Sequence, residues 1–145
     1  MKNKKVKISE NVHKRKTKII DQNSDKEKPL WDFANVDNDG KFRFHESTLD
    51  LTLFVQKLVS LSQMTWANIK MATHDDGKSK NHELPFEKLS QEAKERINLK
   101  KLNDDVESIF SFALTNKIRL IGLKKGRIFY VIWYDKNHEF YPIKK

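Results

Sequence analysis

The sequence predicts an α+β domain in which an antiparallel meander of three to four strands packs against two to three helices. Residues 109–141 contain apolar runs rich in β-branched and aromatic residues, separated by short turn-forming segments, as is typical of a meander. Residues 47–102 instead carry apolar side chains at helical spacing. An N-terminal hairpin and a disordered basic tail complete the predicted architecture.

The turns of the meander set its predicted register, because turn length fixes which residues lie opposite each other. Thr115 and Asn116 are expected to form a two-residue turn, since asparagine tolerates the positive φ that tight hairpins need. Residues 124–126 are expected to form a three-residue turn with Gly126 in the left-handed position. One face of the sheet then collects aromatic and charged side chains: Phe110, Phe112, Lys117, Arg119, Phe129, Trp133, Asp135, His138 and Phe140.

This mixed face suits RNA, because aromatic rings can stack on bases while cations hold phosphates. Six residues are predicted to bind nucleic acid: Lys124, Lys125, Arg127, Phe112, Phe129 and Trp133. The alternative is a sheet covered on both faces, with Lys117 and Arg119 extending only their charged ends at the rim. Both interpretations stay open.

The basic charge of the chain is concentrated near its N-terminus. The net charge is +9, and residues 1–28 account for +6 of it. Their few apolar residues are scattered, so we expect a disordered tail, followed by a single domain over residues 29–145. Such an arm would attract polyanions without reading their sequence. A solvated tail, or a segment that folds on a partner, is the alternative.

Composition excludes several classes of protein. The chain has no cysteine, which excludes disulfides and thiolate sites. No apolar run approaches the ~20 residues that a membrane-spanning helix needs, and the first residues lack the apolar core of a secretory signal. We therefore expect a cytoplasmic protein without a membrane segment. No glycine loop for phosphate and no serine-nucleophile elbow occurs, and no cofactor is predicted.

Three helices are predicted before the meander. Residues 47–62 begin with a capping-box pattern and carry an apolar stripe. Thr65 can cap a short helix over residues 66–71. A third helix is expected to follow Pro85 and to end near Leu102.

Residues 30–44 predict a β-hairpin, since aromatic residues alternate on both sides of the turn sequence at residues 37–40. Residues 35–46 also come close to the calcium-loop template. The cations Lys41 and Arg43 inside that loop favour the hairpin, with calcium as the alternative.

A polar loop follows the second helix. It contains five side chains that could bind a metal: His74, Asp75, Asp76, His82 and Glu83. Their spacing matches no recognised ligand pattern, so a solvated loop is favoured and no metal site is predicted. A mobile flap beside an active site is the functional alternative.

The run FALTNKIRLIGLKKGRIFYVIWYDKNHEFY, placed after helices, resembles the sheet of the RelE/ParE-like superfamily of small toxins. In RelE-like members that sheet binds mRNA in the ribosomal decoding site and cleaves it with basic residues and a C-terminal tyrosine. The resemblance implies that Arg119 matches their second-strand arginine, His138 one of their basic residues and Tyr141 their tyrosine. It also implies RNA or the ribosome as target and an antitoxin-like protein as partner.

The resulting hypothesis is a metal-independent endoribonuclease, in which the 2′-hydroxyl of RNA attacks the adjacent phosphate. His138 is the candidate acid or base because its ordinary pKa lies near neutrality, and Asp135 is expected to orient its imidazole. Arg119 and Lys117 would stabilise the charge that develops on the phosphate. Tyr141 is the fifth catalytic candidate, although the predicted register puts it on the face opposite Arg119.

Two other functions stay open. One is a non-catalytic module that binds nucleic acid or the ribosome, and the other is a mobile-element-encoded factor that binds a protein. In either case His138 would be an exposed residue at a strand end, and its pairing with Asp135 would only be structural.

Overall fold

The computed structural model describes residues 24–142. Its strands are β1 (Leu30–Asp32), β2 (His82–Glu83), β3 (Ile109–Ala113), β4 (Arg119–Lys125) and β5 (Ile128–Asp135). Its helices include α1 (Leu51–Ser62), α2 (Trp66–Met71) and α3 (Gln91–Leu99), with 3₁₀ turns at Phe86–Lys88 and Asn103–Ser108. None of the helices in this range is both long enough and apolar enough to cross a bilayer.

The α+β class is confirmed, and the strands form one five-stranded sheet in the order β1-β5-β4-β3-β2. The three long strands make the predicted antiparallel meander. β1 coincides with the first strand of the predicted hairpin, but its parallel pairing with β5 was not predicted. β2, which pairs antiparallel with β3, was not predicted at all. The predicted hairpin over residues 30–44 is wrong, because no strand follows β1 in that segment.

Side-chain caps explain where the helices begin. Thr65 caps α2 as predicted, accepting the amide of Asn68 at 3.2 Å. α1 begins later than predicted, because the carboxylate of Asp50 accepts the amide of Leu53 at 3.0 Å and caps it there. The third predicted helix is divided into a 3₁₀ turn and α3, and Ser90 caps the latter.

Helices cover both faces of the sheet. The α1 face carries α1 and α2 over a core that includes Phe54, Trp66, Ile69, Phe110, Phe112, Leu120, Phe129 and Val131. The α3 face carries α3 over a core that includes Leu89, Ala93, Ile97, Ile109, Ile121, Ile132, Trp133 and Phe140. Of the two open interpretations, the sheet covered on both sides is therefore the correct one.

The turn between β3 and β4 has three residues instead of the predicted two. The amide of Leu114 donates to the carbonyl of Ile118 at 2.9 Å, so these two residues face each other across the turn. Thr115 stabilises this wider turn, because its hydroxyl oxygen accepts the amides of Lys117 (3.2 Å) and Ile118 (3.0 Å). The one-residue slip exchanges the faces of β3 relative to β4, so Phe112 no longer shares a face with the charged residues.

Strand β5 contains a bulge at Ile132. Ile121 pairs with Trp133 and the next residue, Gly122, pairs with Val131, which leaves Ile132 as the extra residue. Ile132 and Trp133 consequently both contribute to the core under α3.

The bulge exchanges the faces of the residues that follow it. Trp133 lies on the α3 face, and Asp135 pairs with Arg119 across the strands, so these three residues share a face as predicted. The predicted partners Phe112 and Phe129 lie on the α1 face instead. Lys125 pairs with Ile128, so the β4–β5 turn has two residues, Gly126 and Arg127, and the predicted three-residue turn over residues 124–126 is wrong. This one-residue slip and the bulge compensate each other for Trp133 and Asp135, which follow the bulge, and not for Phe129, which precedes it.

Asp37 ties the loop after β1 to the rest of the fold. Its buried carboxylate accepts Nε (2.9 Å) and Nη2 (2.8 Å) of Arg96 and Nε1 of Trp133 (2.9 Å). Burial raises the pKa of Asp37, but the hydrogen bonds from Arg96 and Trp133 outweigh it and hold the pKa below its ordinary value. Asp37, which was also the third position of the calcium template, therefore holds α3 and β5 together inside the fold.

The folded part begins before the predicted boundary at residue 29. The carbonyl of Glu27 accepts the amide of Trp66 at 2.9 Å, and the Glu27 carboxylate forms a salt bridge with Arg127 at 3.1 Å. Ser24 is fully buried. The rest of the predicted tail, residues 1–23, lies outside the described residues.

Replacing Gly122 with alanine is expected to destabilise the protein by about 3 kcal/mol, at the upper end for ordinary point mutants. A Cβ at Gly122 would lie 1.9 Å from the carbonyl oxygen of Tyr130, so the strands would have to separate at the bulge. Urea-induced unfolding measures the change. Gly77→Ala is the control, because a Cβ there meets nothing within 4 Å and only its φ of +84° costs free energy, about 1 kcal/mol. Equal losses in the two variants would contradict this account of the bulge.

Candidate active site

A cleft of about 490 Å³ lies where β4 begins and β5 ends. Three of the five predicted catalytic residues line it: Arg119, His138 and Tyr141. Asp135 is buried beside Arg119, its partner across the strands. Lys117 is exposed on the β3–β4 turn and does not line the cleft, so its predicted place beside the phosphate is not supported.

Arg119 is fixed in the wall of the cleft. Its Nη1 donates to the carbonyls of Thr115 (2.8 Å) and Ile118 (3.1 Å), and its Nη2 donates to the carbonyl of Asn116 (3.2 Å). Only 9% of the residue is exposed, so it does not extend its charge from the rim as the alternative interpretation required. Burial lowers the pKa of Arg119 and the charge of Asp135 partly offsets this, but a guanidinium stays protonated in proteins.

Asp135 shapes the turn that presents His138. Its two carboxylate oxygens accept the amides of Glu139 (3.0 Å) and Phe140 (2.8 Å). Burial raises the pKa of Asp135, and these two hydrogen bonds oppose that shift. His138 has a φ of 58°, a left-handed conformation that is uncommon outside glycine. Asp135 was predicted to orient the imidazole directly. Its carboxylate instead binds the backbone of the turn that carries His138.

His138 is a half-buried histidine beside a cation. Burial lowers its pKa, and the positive charge of Arg119 lowers it further, while Asp135 opposes both effects. The lowered pKa favours the neutral imidazole near pH 7, which is the form that can accept a proton.

A second histidine, His82, reaches the same cleft and was not predicted to be catalytic. Its Nδ1 lies 2.9 Å from the carbonyl of Glu83, and since a carbonyl only accepts, Nδ1 must carry the proton. Nε2 is then the nitrogen with which His82 can exchange a proton in the cleft. Residues 73–83 contain no apolar residue, so no alternation of apolar and polar side chains signalled β2, which positions this side chain.

Tyr141 lies beside His82, with ring centroids 6.1 Å apart in an edge-to-face arrangement. The predicted register put Tyr141 on the face opposite Arg119, and that prediction is wrong. After β5 the chain turns through residues 136–140, and Tyr141 returns to the same cleft as Arg119. No fourth meander strand forms at this point, since the described chain after β5 has no strand.

The polar loop over residues 74–82 forms one wall of the cleft. It contributes Lys78 and Lys80, and Lys88 approaches from the 3₁₀ turn before α3. One acidic residue, Asp76, lines the cleft against these cations. Among residues 24–142, no group of three or more His, Asp or Glu side chains is placed to hold a metal ion.

The cations predicted on the β4–β5 turn lie elsewhere. They are about 20 Å along β4 from Arg119, at the other end of the sheet. Lys125 forms a salt bridge with Asp105 at 2.8 Å, and the ammonium of Lys124 lies over the ring of Trp66, 4.8 Å from its centroid. Arg127, as noted, pairs with Glu27. These three residues therefore hold the fold together at that end and do not belong to the cleft.

The aromatic residues predicted to stack on bases are core residues. Phe112, Phe129 and Trp133 are all 0% exposed, the first two under α1 and α2 and the third under α3. Phe112 and Phe129 pack edge to face with centroids 4.8 Å apart. The prediction that these rings contact bases is therefore wrong.

No protein-family model, curated protein or solved structure matches this chain.

His138 is expected to titrate below the ordinary histidine pKa of about 6.5. Arg119→Gln should raise the pKa of His138, because it removes a positive charge that disfavours the imidazolium form. The pH dependence of the His138 Cε1 proton shift, measured by NMR, gives this pKa directly. Lys125→Gln, which removes a cation at the far end of β4, should leave it unchanged. An unaltered His138 pKa in Arg119→Gln would show that the two side chains do not interact.

Proposed function

We propose that this protein is an endoribonuclease that cuts RNA at the cleft by attack of the 2′-hydroxyl on the adjacent phosphate. The observation that supports it is the convergence of Arg119, His138, His82 and Tyr141 on one cleft with three lysines at its edge. RNA supplies its own nucleophile in this reaction, so the protein has to move protons and stabilise charge. That chemistry requires neither a metal nor a cofactor.

His138 is the proposed general base. Its neutral imidazole takes the proton of the 2′-hydroxyl as the oxygen attacks phosphorus. The left-handed turn that Asp135 holds fixes where the ring stands, so little reorganisation is needed before the reaction.

His82 is the proposed general acid. For this step His82 is in its imidazolium form: Nδ1–H stays bound to the carbonyl of Glu83, and Nε2–H gives its proton to the 5′-oxygen as the bond between phosphorus and that oxygen breaks. The products are a 2′,3′-cyclic phosphate and a 5′-hydroxyl. Tyr141, against the ring of His82, can hold that ring in place or donate to a phosphate oxygen.

Arg119 is the proposed stabiliser of the charge that develops on the phosphate. It is recessed and already oriented by three carbonyls, so its positive charge acts in an environment of low dielectric. Lys78, Lys80 and Lys88 attract the RNA backbone to the cleft.

A non-catalytic nucleic-acid or ribosome-binding module is the second candidate. Three N–H groups of the Arg119 guanidinium are already bound to carbonyls, which leaves fewer donors for a phosphate in the transition state. A binding module would use the lysines of the cleft and would need neither histidine.

His138→Ala separates the two candidates. The cleavage rate should fall at least about 100-fold, the usual contribution of a general base. The affinity for RNA whose 2′-hydroxyls are methylated should change by no more than about twofold, since the neutral imidazole contributes no charge to binding. A fluorescent RNA measures cleavage, and fluorescence anisotropy measures binding. His45→Ala, which removes an exposed histidine outside the cleft, is the control. A variant that cleaves RNA as fast as the wild type would exclude this role for His138.

The RelE-like resemblance adds a cellular role to the proposed activity. Arg119, His138 and Tyr141, the residues on which it rests, line one cleft. The extended proposal is a cytoplasmic toxin that cleaves mRNA, on the ribosome or free, and that is neutralised by an antitoxin-like protein.

Induced expression is expected to arrest growth and to fragment mRNA within minutes, because cleaved messages cannot be translated. RNA sequencing of the 5′ ends detects the cuts. Cells that express His138→Ala at the same level should grow normally. Growth arrest without new 5′ ends would argue for a target other than mRNA.

A further inference from the structure

A second cavity, of about 390 Å³, adjoins the cleft. It shares four lining residues with the cleft: His74, Asp76, Lys80 and Arg119. The cationic side chains of Lys80 and Arg119 thus stand where the two cavities meet. A phosphate bound to them would have one cavity on each side.

The two cavities differ in chemistry. The side chains proposed to move protons, His82 and His138, line the cleft and not the second cavity. The second cavity has instead Asn116 and Asp75, which do not line the cleft. Its volume is within the range of pockets that hold small organic groups.

We propose that the second cavity is the subsite for the nucleoside on the 3′ side of the scissile phosphate, and that Asn116 contacts its base. This inference rests on the proposed ribonuclease function. The reacting 2′-hydroxyl belongs to the nucleoside on the 5′ side, which must lie in the cleft so that His138 can reach it. The departing nucleoside then occupies the space beyond Arg119.

Asn116 is fixed relative to the phosphate site. Its carbonyl accepts Nη2 of Arg119 at 3.2 Å, so the residue is tied to the guanidinium that would hold the phosphate. Its side chain is exposed, and an amide offers both a donor and an acceptor to the edge of a base.

The charges of the second cavity favour a base over another phosphate. The carboxylates of Asp75 and Asp76 line it and would repel a second phosphate, whereas both can accept from the amino groups of a base. Asp76 is held in place because its Oδ1 accepts the amide of Lys78 at 2.9 Å.

NMR titration with ligands that cannot be cleaved tests the subsite without requiring catalysis. The first ligand is uridine 3′-phosphate, which fills the cleft alone. The second is the tightest-binding of four 2′-deoxy dinucleoside monophosphates that differ only in the 3′ base. Both ligands should shift the ring signals of His138, and only the dinucleotide should shift the side-chain amide of Asn116. A dinucleotide that shifts His138 and not Asn116 overturns the subsite and leaves the ribonuclease proposal standing.

Asn116→Ala should raise the Kd of the dinucleotide about fivefold, as expected for one lost hydrogen bond, and leave that of uridine 3′-phosphate unchanged. Asn98→Ala, which removes an exposed amide on α3, should change neither. Equal weakening of both ligands by Asn116→Ala would mean that Asn116 acts through Arg119 and would overturn the base contact.

If neither ligand shifts the ring signals of His138, the subsite and the ribonuclease proposal both fail. If both signals shift but the RNA dinucleotide is not cleaved, the subsite is supported and the ribonuclease chemistry fails.

Discussion

The geometry of the cleft depends on the bulge in β5. In a regular strand the side chains of residues 129, 131, 133 and 135 would all share one face, so without the bulge Asp135 would point to the α1 face with Phe129 and Val131. The bulge turns Asp135 to the α3 face, across from Arg119, so that the carboxylate can bind the amides of the following turn. Gly122 makes this possible, because its missing side chain lets the carbonyl of Tyr130 come close.

Two buried charges are held at this point by backbone groups. Asp135 accepts two amides, and Arg119 donates to three carbonyls, so each charge is solvated by the turn beside it. Burying them costs free energy that an apolar pair would not, and the left-handed φ of His138 adds strain. Arg119 and Asp135 are thus held in fixed positions beside an open cleft despite the free-energy cost of burying them. Electrostatic catalysis requires charged groups whose positions are fixed before the reaction.

Local patterns predicted the elements well. The three meander strands follow from their β-branched and aromatic content, and α2 follows from the cap at Thr65. What the patterns could not supply was register, because a hairpin turn of two residues and one of three differ in the sequence only by the role of Thr115. The parallel pairing of β1 with β5 is a tertiary contact between segments about 100 residues apart, for which short-range periodicity holds no signal.

The difference between local sequence patterns and strand register also explains which site residues could be predicted. Arg119, His138 and Tyr141 came from chemistry and resemblance, and the structure brings them together. Phe112 and Phe129 depended on the register, and failed with it. His82 is distant in sequence from the other site residues, and only the pairing of β2 with β3 brings it to the cleft.

The two ends of the sheet show why the cleft, and not the basic β4–β5 turn, is the site to test. At the turn the cations have partners: Lys125 binds Asp105 and Arg127 binds Glu27. Within residues 24–142, no salt bridge involves the lysines of the cleft, and Arg119 binds carbonyls instead. Clustered cations repel one another and lower the stability of the folded state, and an anion that binds among them would restore that stability. Among residues 24–142, Asp76 lines the cleft and Asp135 lies beside Arg119, so the four cations of the cleft outnumber these carboxylates and the cleft attracts a phosphate.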